Sequence, residues 1–547
     1  MSDLFYKRFV TETVDENGML TDVKFHYDEN YNFAYDVVDV LAITKPNKKA
    51  MIWLSKDKEE RIFTFADMKR YSDKTANYFK SLGIKKGDNV MLILKRHYQF
   101  WFCMMALHKL GAVAVPATNQ LMKKDLVYRF NKGHIRAVVC TPDDYVAHEV
   151  DKSVAESPEL EFKIMVNETR EGWLDFDGGV EASSEEFERV ETKANEPMLM
   201  YFSSGTTGYP KCVAHAHTYS LGHILTASWW HLVEEDGVHL TISDTGWGKA
   251  VWGKLYGAWL AETCVFTYDF DRFHPDDILP LFAEYHITTF CAPPTMYRFF
   301  IKEDLSKYDL SSLHYCTIAG EALNPEVFKQ FYNATGIKLM EGFGQTETTL
   351  SIANLKGMEP KPGSMGKPSP QYHVVMINGE GKECNPGEVG EICIDTSKEV
   401  PLGLFLGYYE DEENTKKVWH DGLYHTGDMA WADEDGYLWY VGRTDDLIKS
   451  SGYRIGPFEI ESVLMEHPSV LECAVTGAPD PIRGQVVKAT IVLAKGYTAS
   501  DELKKEIQTY VKNLTAPYKY PRIIDFVTEL PKTISGKIMR KDIRKDN

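Results

Sequence analysis

The pattern of apolar and polar positions predicts helices and strands in alternation over residues 64–318. Residues 64–83 are typical of a helix, because Thr64 can cap it, apolar residues recur at helical spacing, and Gly83 can end it. Strands that alternate with helices indicate parallel βαβ units and doubly wound sheets. Short apolar runs predict the buried strands at residues 90–94, 112–116, 137–140, 198–202, 289–292 and 315–318.

The pattern changes after residue 363. Between residues 363 and 401, short strand-like runs are separated by turns rich in glycine and proline. Such spacing is typical of a small β-barrel or a β-sandwich. We therefore expect an α/β chain in which two doubly wound sheets are followed by a small β-barrel. Ligands of doubly wound sheets bind outside the carboxyl ends of the strands, so the loops at 292–295 and 319–322 are candidate binding loops.

The segment 201–211, Tyr-Phe-Ser-Ser-Gly-Thr-Thr-Gly-Tyr-Pro-Lys, is the strongest candidate for a binding loop. Its glycines let backbone N–H groups converge, its hydroxyls add donors, and Lys211 adds a positive charge. These are the groups that surround a phosphate. A flexible Ser/Gly linker is the alternative, but the apolar run that leads into the segment is typical of a buried strand.

Composition and charge narrow the classes of partner. The chain of 547 residues is long enough for two or more domains. Its net charge of −19 disfavours binding to nucleic acid or to an anionic membrane. Residues 501–547 are instead basic, with 11 Lys and Arg against 7 Asp and Glu. A basic segment on an acidic body suits a polyanionic small molecule, and a solvated basic tail is the alternative.

Cysteines, histidines and apolar runs give no sign of a zinc site or a membrane anchor. The nine cysteines contain no C-x-x-C pair, which is typical of reduced thiols. His215 and His217 lack carboxylate or cysteine neighbours in the sequence and are interpreted as structural rather than metal-binding. No apolar run is long enough to span a membrane, and the first residues lack a signal core, so we expect a cytoplasmic protein.

Four more motifs follow the 201–211 loop. They are Glu-Gly-Phe-Gly-Gln-Thr-Glu-Thr at 341–348, Tyr-His-Thr-Gly-Asp at 424–428, Val-Gly-Arg-Thr-Asp-Asp-Leu-Ile-Lys at 441–449 and Pro-Lys-Thr-Ile-Ser-Gly-Lys at 531–537. Together with the loop, and in the same order, they resemble the AMP-forming acyl-CoA synthetases of the adenylate-forming superfamily. The resemblance covers nearly the whole chain, and its C-terminal part is most similar to the medium-chain acyl-CoA synthetases.

This resemblance implies an enzyme with two domains. Residues 1–444 would form a large N-terminal domain with the ATP site and the acyl pocket, and residues 445–547 a small mobile α+β lid. The reaction would have two steps, in which a carboxylate attacks the α-phosphate of ATP to give acyl-AMP and pyrophosphate, and coenzyme A then takes the acyl group. Between the steps the lid would rotate about Asp445, for which a helix-capping aspartate is the alternative.

The resemblance also assigns the contacts to ATP. Lys537, Thr346 and Glu347 are the implied catalytic residues. Lys537 would neutralise charge where the carboxylate meets the α-phosphate, Thr346 would offer a hydroxyl, and Glu347 would bind Mg²⁺. Asp428 would accept hydrogen bonds from the ribose hydroxyls, and Arg443 would reinforce that end. The full implied ATP set is Ser203, Ser204, Gly205, Thr206, Thr207, Gly208, Tyr209, Pro210, Lys211, Gly320, Glu321, Ala322, Glu341, Gly342, Phe343, Gly344, Gln345, Thr346, Asp428, Arg443 and Lys537.

Coenzyme A and the acyl chain would occupy sites of their own. The implied CoA residues are Gln120, Ser451, Gly452, Tyr453, Arg483, Lys512, Tyr520, Pro521 and Arg522, and the implied acyl residues are Trp247, Gly248, Ala319, Gly344, Thr346 and Arg454. Gln120 and Lys512 have an ordinary surface position as their alternative, and Trp247 has core packing. Acetate-specific relatives carry a tryptophan at the position of Gly344, so the missing indole is expected to leave room for several methylenes.

We therefore hypothesise an acid–thiol ligase that uses ATP, Mg²⁺ and coenzyme A to convert a medium-chain or branched monocarboxylic acid to its acyl-CoA. An aryl-acid CoA ligase and an adenylating ligase with a carrier-protein thiol as acceptor are two alternatives within enzymes. A catalytically silent nucleotide-binding homologue is an alternative of another class. No nucleic-acid partner and no membrane span are expected, and a homodimer stays open.

Overall fold

The structure is a computed structural model that describes residues 4–142, 145–203, 209–450, 453–532 and 538–545. Its strands are β1 Val10–Val14, β2 Leu20–Phe25, β3 Lys49–Leu54, β4 Glu60–Thr64, β5 Asn89–Ile93, β6 Val113–Pro116, β7 Ile135–Cys140, β8 Phe162–Met165, β9 Leu174–Asp175, β10 Pro197–Ser203, β11 Lys211–Ala216, β12 Val238–Thr241, β13 Cys264–Tyr268, β14 Thr289–Ala292, β15 Tyr315–Ile318, β16 Leu339–Phe343, β17 Ile352–Ala353, β18 Lys367–Pro368, β19 Val374–Ile377, β20 Val389–Asp395, β21 Gly407–Tyr408, β22 Trp419–His420, β23 Leu423–Ala432, β24 Leu438–Arg443, β25 Ile448–Ser450, β26 Tyr453–Ile455, β27 Val470–Asp480, β28 Gly484–Leu493 and β29 Ile523–Val527.

The helices lie between these strands. They are α1 Val40–Thr44, α2 Phe65–Ser81, α3 Gln99–Leu110, α4 Lys123–Lys132, α5 Val146–Ser153, α6 Phe176–Glu181, α7 Lys249–Gly253, α8 Tyr256–Leu260, α9 Pro275–Glu284, α10 Pro294–Phe300, α11 Pro325–Thr335, α12 Glu412–Val418, α13 Pro457–Met465, α14 Asp501–Leu514 and α15 Arg540–Lys545. Within the described ranges, none of the helices combines the length and the apolar character that crossing a bilayer requires.

The predicted helix at 64–83 is confirmed as α2. The side chain of Thr64 accepts a hydrogen bond from the Asp67 N–H, and the Asp67 carboxylate accepts one from the Thr64 N–H, which completes a capping box. The next predicted helix, α3, is buried along its whole length, because its side chains are apolar on almost every face. The indole of Trp101 on α3 donates to the Lys254 carbonyl at 2.7 Å and so ties the helix to the second half of the domain.

Two large mixed sheets form most of the molecule, which confirms the predicted doubly wound architecture. The first has eight strands in the order β21-β11-β10-β6-β5-β7-β8-β9, and the second has nine in the order β18-β17-β16-β15-β14-β12-β13-β3-β4. The central strands of both are parallel. Antiparallel strands close one edge of the first sheet and both edges of the second.

The strand that leads into the 201–211 loop is followed by an antiparallel return rather than by a helix. β10 pairs with β11, and Ser203 is opposite Lys211. Residues 204–208 connect the two strands and lie outside the described residues. Ser203 and Lys211, the described residues on either side of this segment, are therefore placed opposite one another on antiparallel strands.

Two smaller sheets follow. The predicted β-barrel is a five-stranded antiparallel sheet, β19-β20-β23-β22 with β24 on β23, which packs its apolar face against Ile352 and Met365. The second small sheet, β26-β25-β28-β27 with β29 on β28, carries α13 and α14 on a core of its own. The predicted domain boundary at 444/445 falls between Arg443, the end of β24, and Ile448, the start of β25. That boundary stays a prediction.

Candidate functional site

The carboxyl ends of strands from both large sheets meet at one place. A Cβ on Gly246, in the segment after β12, would lie 2.3 Å from the backbone carbon of Ala117, in the segment after β6. Only glycine permits this approach between the two segments. A Cβ on Gly248 would lie 3.8 Å from Thr346, which follows β16. The segments after β6, β12 and β16, which carry the predicted residues Gln120, Gly248 and Thr346, thus lie together where doubly wound sheets bind ligands.

The Asp428 carboxylate accepts hydrogen bonds from three other side chains. Its Oδ1 accepts a hydrogen bond from the Tyr440 hydroxyl at 3.0 Å. Its Oδ2 accepts from Gln345 Nε2 at 2.5 Å and from Arg443 Nη1 at 3.3 Å. Gln345 also accepts from the Tyr424 hydroxyl at 2.7 Å. These bonds join β23, β24 and the 341–348 motif around one buried carboxylate.

Arg443 lies across the glycine that precedes Asp428. A Cβ on Gly427 would lie 2.8 Å from Arg443 Nη2, and Gly427 has a φ of +72°, a conformation that favours glycine. Arg443 Nη1 also donates to the Thr426 carbonyl at 3.0 Å. Burial lowers the pKa of Arg443, but the nearby Asp428 carboxylate raises it, and the net shift is upward. The guanidinium is therefore a fixed positive charge beside the Asp428 carboxylate.

Glu347 lies beside Lys211 and Tyr408. Its Oε1 accepts a hydrogen bond from the Tyr408 hydroxyl at 3.0 Å, and Lys211 Nζ lies 4.5 Å from the centre of the Tyr408 ring. Burial raises the pKa of the Glu347 carboxyl, and burial lowers the pKa of Lys211. Both ionised groups are therefore short of stabilising partners. A carboxylate in that state fits Mg²⁺, which prefers hard oxygen ligands and few of them from protein.

The histidine of the His-Ala-His pair nearest the site has a structural contact, as predicted. His215 Nε2 lies 2.8 Å from the Thr346 carbonyl oxygen, which it reaches as a donor. Burial lowers the pKa of His215 to about 4, so the ring is neutral at pH 7. A neutral ring holds the Thr346 backbone without adding charge to the site. His217 is also buried, and the structure brings no carboxylate or cysteine ligand set to this pair within the described residues.

Three further residues of the implied ATP set, Gly320, Glu321 and Glu341, are held in place by their neighbours. The Glu321 carboxylate accepts from the Thr295 hydroxyl at 3.1 Å and lies 3.7 Å from Arg298. Gly320 has a φ of +105° at the end of β15. Glu341 is buried, accepts from the Leu323 N–H at 3.3 Å, and has a pKa that burial raises well above its usual value. A buried neutral carboxyl at this position supports the loop rather than presenting charge to a ligand.

The space expected beside Gly344 is filled, which corrects the prediction of an open volume there. A Cβ on Gly344 would lie 2.4 Å from the Trp252 ring and 2.4 Å from the Thr349 carbonyl oxygen. Trp252 on α7 is buried, and its ring lies 6.3 Å from that of Trp230. Gly344 is not among the residues with a positive φ, so its backbone conformation does not require glycine. An indole does close this volume, but it comes from position 252.

Two lysines follow the implied acyl residues Trp247 and Gly248 in the chain, and both donate hydrogen bonds to backbone carbonyls. Lys249 Nζ donates to the Ala319 carbonyl at 2.7 Å, and Lys254 Nζ donates to the Ser243 carbonyl at 2.8 Å. Burial, with a smaller contribution from Arg96, lowers the pKa of Lys254 to about 7. These bonds fix the segment on the sheet edge, while Trp247 of the same segment is only partly buried.

Several of the described CoA candidates lie in or near the sheet of β25–β29, with Tyr453 on β26, Lys512 on α14, and Tyr520 and Arg522 just before β29. Tyr453 is half exposed and stacks on Tyr518 with ring centres 4.1 Å apart. The Arg522 guanidinium lies 5.0 Å from the centre of the Tyr520 ring, and Lys512 Nζ lies 5.8 Å from it. The sheet therefore presents exposed aromatic rings with cations beside them.

The remaining CoA candidates are less closely grouped. Arg483 is exposed, and its backbone N–H donates a hydrogen bond to the Asp480 carboxylate. This bond lowers the pKa of Asp480, and the positive charges of Arg483 and Arg522 also lower it. Pro521 is buried, and its carbonyl accepts from Gln508 at 3.0 Å. Gln120 is exposed in the segment after β6, and its carbonyl accepts from Tyr145.

The predicted hinge is in contact with the last helix. Arg544 Nη1 on α15 donates to the Asp445 carbonyl at 2.9 Å, and its Nη2 lies 2.6 Å from Asp446 Oδ1. Arg540 on the same helix makes hydrogen bonds to both oxygens of the buried Glu461. Pro531 and Lys532 pair with Ile538 and Met539 at the base of the loop that holds Lys537. Helix α15 thus contacts the predicted hinge through Arg544 and helix α13 through Arg540.

Several predicted residues lie outside the described residues. They are Ser204, Gly205, Thr206, Thr207, Gly208, Ser451, Gly452 and Lys537, together with the side chain of Arg454. Conversely, sequence reasoning missed Tyr408, Tyr424 and Tyr440. Each donates its hydroxyl to a predicted residue, but a single tyrosine in a strand carries no local signal of such a role.

The chain matches known proteins over almost its whole length. Residues 40–409 match the model of the AMP-binding enzyme family, and residues 459–537 match that of the AMP-binding enzyme C-terminal domain. The human mitochondrial acyl-coenzyme A synthetase ACSM3 is 42% identical over 96% of this chain and 92% of its own length. The human mitochondrial acyl-coenzyme A synthetase ACSM5 is 42% identical over 94% and 90%.

Solved structures agree with these matches. The anthranilate CoA ligase AuaEII in complex with anthranoyl-AMP has a TM-score of 0.87 at 29% identity and covers 95% of this chain and 98% of that one. A Brucella canis acyl-CoA synthetase has a TM-score of 0.71 at 31% identity, with coverage of 95% and 94%. The family predicted from the motifs is confirmed. The chain belongs to the AMP-binding enzyme family and is an AMP-forming acyl-CoA ligase.

Proposed function

We propose that this ligase activates a medium-chain or branched monocarboxylic acid as acyl-AMP, releases pyrophosphate, and transfers the acyl group to coenzyme A. The observation that carries the proposal is the position of Thr346 next to Gly248, where a Cβ would lie 3.8 Å from the Thr346 side chain. It puts a predicted catalytic residue beside the predicted acyl residues. The Asp428 network lies on the other side of the same motif, bonded to Gln345. One loop therefore reaches both substrates.

The first step needs charge neutralisation more than covalent catalysis. Lys211 lies beside the 204–208 turn and would contact the outer phosphates. Thr346 would donate its hydroxyl to the α-phosphate, and Glu347 would hold Mg²⁺, which neutralises charge on the phosphate oxygens when bound. Lys537 would bring its ammonium to the α-phosphate and the attacking carboxylate.

The nucleoside would be held at the Asp428 network. The Asp428 carboxylate accepts hydrogen bonds from Tyr440 on Oδ1 and from Gln345 and Arg443 on Oδ2. The ribose hydroxyls would donate to the same carboxylate, which they would share with these partners. Because Tyr440, Gln345 and Arg443 fix the carboxylate in advance, binding would not have to order it.

The second step needs the lid in another orientation. Lys537 would leave the site as the segment around Gly452 approaches, with rotation at Asp445. Arg544 and Arg540 tie α15 to Asp445 and to Glu461 on α13, so these parts of the lid would move as a unit. The exposed rings and cations around Tyr520 and Tyr453 would then bind the nucleotide part of coenzyme A.

The depth of the acyl pocket would be set by Trp252. Its ring takes up the volume beside Gly344, so the channel is shorter than a glycine alone would leave it. A channel limited in this way favours branched and short to medium chains over long ones. The aryl-acid alternative has support of its own, because the anthranilate CoA ligase shares the fold with a TM-score of 0.87. Activity over a panel of aliphatic and aromatic acids, measured as CoA-dependent AMP release, separates the two.

Location and assembly are also proposals. The curated relatives ACSM3 and ACSM5 are named as mitochondrial, while the sequence of this chain predicts a cytoplasmic protein. Fractionation of the source cells with an antibody to the chain decides between the two. The homodimer that the sequence left open is checked by light scattering of the purified protein.

Replacing Lys537 with alanine should slow acyl-AMP formation by about 10²–10³-fold, because one charge that acts on the transition state is lost. Conversion of synthetic acyl-AMP and coenzyme A to thioester should keep its rate. The matched control is Lys541→Ala, since Lys541 is an exposed lysine on α15 of the same basic segment. An equal fall in both half-reactions of the Lys537 variant would show that the assigned role is wrong.

Replacing Asp445 with proline should slow thioester formation and leave acyl-AMP formation largely intact. Proline fixes φ at the pivot, so acyl-AMP should still form while thioester production falls. Glu434→Pro is the control. Residues 433–436 form a turn in which the Gly436 N–H donates to the Asp433 carbonyl, and Glu434 is exposed at its second position, where proline is well tolerated. Wild-type turnover in the Asp445 variant would place the pivot elsewhere.

Replacing Trp252 with leucine should raise kcat/KM for longer acids. Each additional buried methylene contributes about 0.8 kcal/mol, close to a factor of four, so two methylenes should give roughly 15-fold. Gly344→Ala should instead lower kcat/KM for every acid alike, because its Cβ meets the Thr349 carbonyl oxygen at 2.4 Å. Measured values for acetate, butyrate, hexanoate and octanoate test both expectations. An unchanged ranking in the Trp252 variant would remove this residue as the determinant of depth.

Replacing Gly427 with alanine should weaken ATP binding by displacing Arg443 from Asp428. Gly381 is a control for backbone strain, because its φ of +75° is close to the +72° of Gly427 while a Cβ there would meet nothing within 4 Å. Both variants should lose about 1–2 kcal/mol of stability from strain. Only Gly427→Ala should show a lower ATP affinity by calorimetry. Equal ATP affinities in the two variants would exclude a role for the guanidinium position.

A further inference from the structure

A cysteine, a histidine and a glutamate converge on one face of the five-stranded antiparallel sheet. Glu391 and Cys393 are two residues apart on β20, and His425 on β23 is the cross-strand partner of Cys393. The candidate ligand atoms of the three residues all lie within 4.8 Å of one another. His425 Nδ1 lies 3.0 Å from a Glu391 carboxylate oxygen and 3.5 Å from Cys393 Sγ. Neither the proposed reaction nor its substrates use these side chains.

The spacing of these atoms is close to that of a tetrahedral zinc site. Zinc binds thiolate sulfur at about 2.3 Å and imidazole nitrogen or carboxylate oxygen at about 2.0–2.2 Å, which puts neighbouring ligand atoms about 3.4–3.6 Å apart. The separation of 3.5 Å between Cys393 Sγ and His425 Nδ1 already has that value. The separation of 3.0 Å between His425 and Glu391 would have to open by about 0.4 Å, a change that side-chain rotation allows.

The surroundings supply what a metal ligand set also needs. The second carboxylate oxygen of Glu391 accepts a hydrogen bond from the Gly427 N–H at 2.9 Å, which orients the carboxylate. Glu391 and His425 are partly exposed, with Cys393 buried behind them, so an ion can reach the site from solvent. The ring of His420 on β22 stacks on that of His425 with centres 4.3 Å apart. The fourth position is open to water or, after rotation, to His420.

We propose that Glu391, Cys393 and His425 form a binding site for a borderline-soft divalent cation, of which Zn²⁺ is the type. Binding forms bonds from the metal to Cys393 Sγ, His425 Nδ1 and a Glu391 oxygen. The thiol proton of Cys393 passes to solvent, and the ring proton of His425 resides on Nε2. The site is separate from Glu347, a carboxylate that suits the harder Mg²⁺.

The test is a titration of the metal-free protein with Co²⁺, which reports its own ligands. One Co²⁺ per chain should bind and give a thiolate-to-cobalt charge-transfer band in the near ultraviolet together with the intense visible bands of a tetrahedral ion. Zn²⁺ should remove these bands by displacement. A protein that shows no thiolate band at any Co²⁺ concentration overturns the proposal without any variant.

Variants then assign the ligands. Cys393→Ser should abolish the charge-transfer band, and His425→Gln and Glu391→Gln should each weaken Co²⁺ binding at least 10-fold. Cys384→Ser is the control, because Cys384 is a partly exposed cysteine that contacts Gly390 on the same strand as the site. It should leave the band unchanged. His425 is on the surface side, so His425→Gln serves if the buried serine variant fails to fold. Loss of the band in Cys384→Ser, or its persistence in His425→Gln at wild-type affinity, overturns the assignment.

Discussion

The arrangement of the site depends on one buried carboxylate and the groups that compensate its charge. Asp428 is only 5% exposed, yet it accepts hydrogen bonds from a guanidinium, an amide and a phenol. Removing any one of these partners would leave the charge of the buried carboxylate less compensated. The three segments that carry these partners are therefore held in one relative position. Thr346 and Glu347 follow Gln345 directly, so the same bonds place the residues proposed for catalysis.

Much of the fold could be predicted because its signals are local. Helix α2 with its Thr64 cap, the strands β5, β6, β7, β10, β14 and β15, and the loops after β14 and β15 follow from periodicity and turn residues. The antiparallel return of β11 could not be predicted in this way, because β10 and β11 are both short apolar runs whose direction depends on the turn between them. The five-stranded sheet expected as a barrel is likewise defined by pairings between distant residues.

The site residues that are close together in a sequence motif could be predicted. Those that reach the site from separate strands could not. Gln345, Thr346 and Glu347 are neighbours in sequence, and Asp428 and Arg443 are opposite one another on adjacent strands. Tyr440 and Tyr408 reach the same carboxylates from positions that read as ordinary strand residues. The volume beside Gly344 was misjudged for the same reason. The presence of a glycine says nothing about whether a distant tryptophan occupies the space that its side chain would have taken.

The packing of Trp252 against Gly344 has a consequence for how this enzyme can diverge. The two positions share one volume, so their substitutions are epistatic, but the dependence runs in one direction. A smaller residue at 252 leaves the glycine unchanged and undisturbed. A larger residue at 344 still meets the Thr349 carbonyl oxygen after the indole has gone, and that oxygen belongs to the backbone and cannot be mutated away. Changes in substrate range should therefore arise more readily at position 252 than at position 344, where a larger residue also requires the backbone at Thr349 to shift.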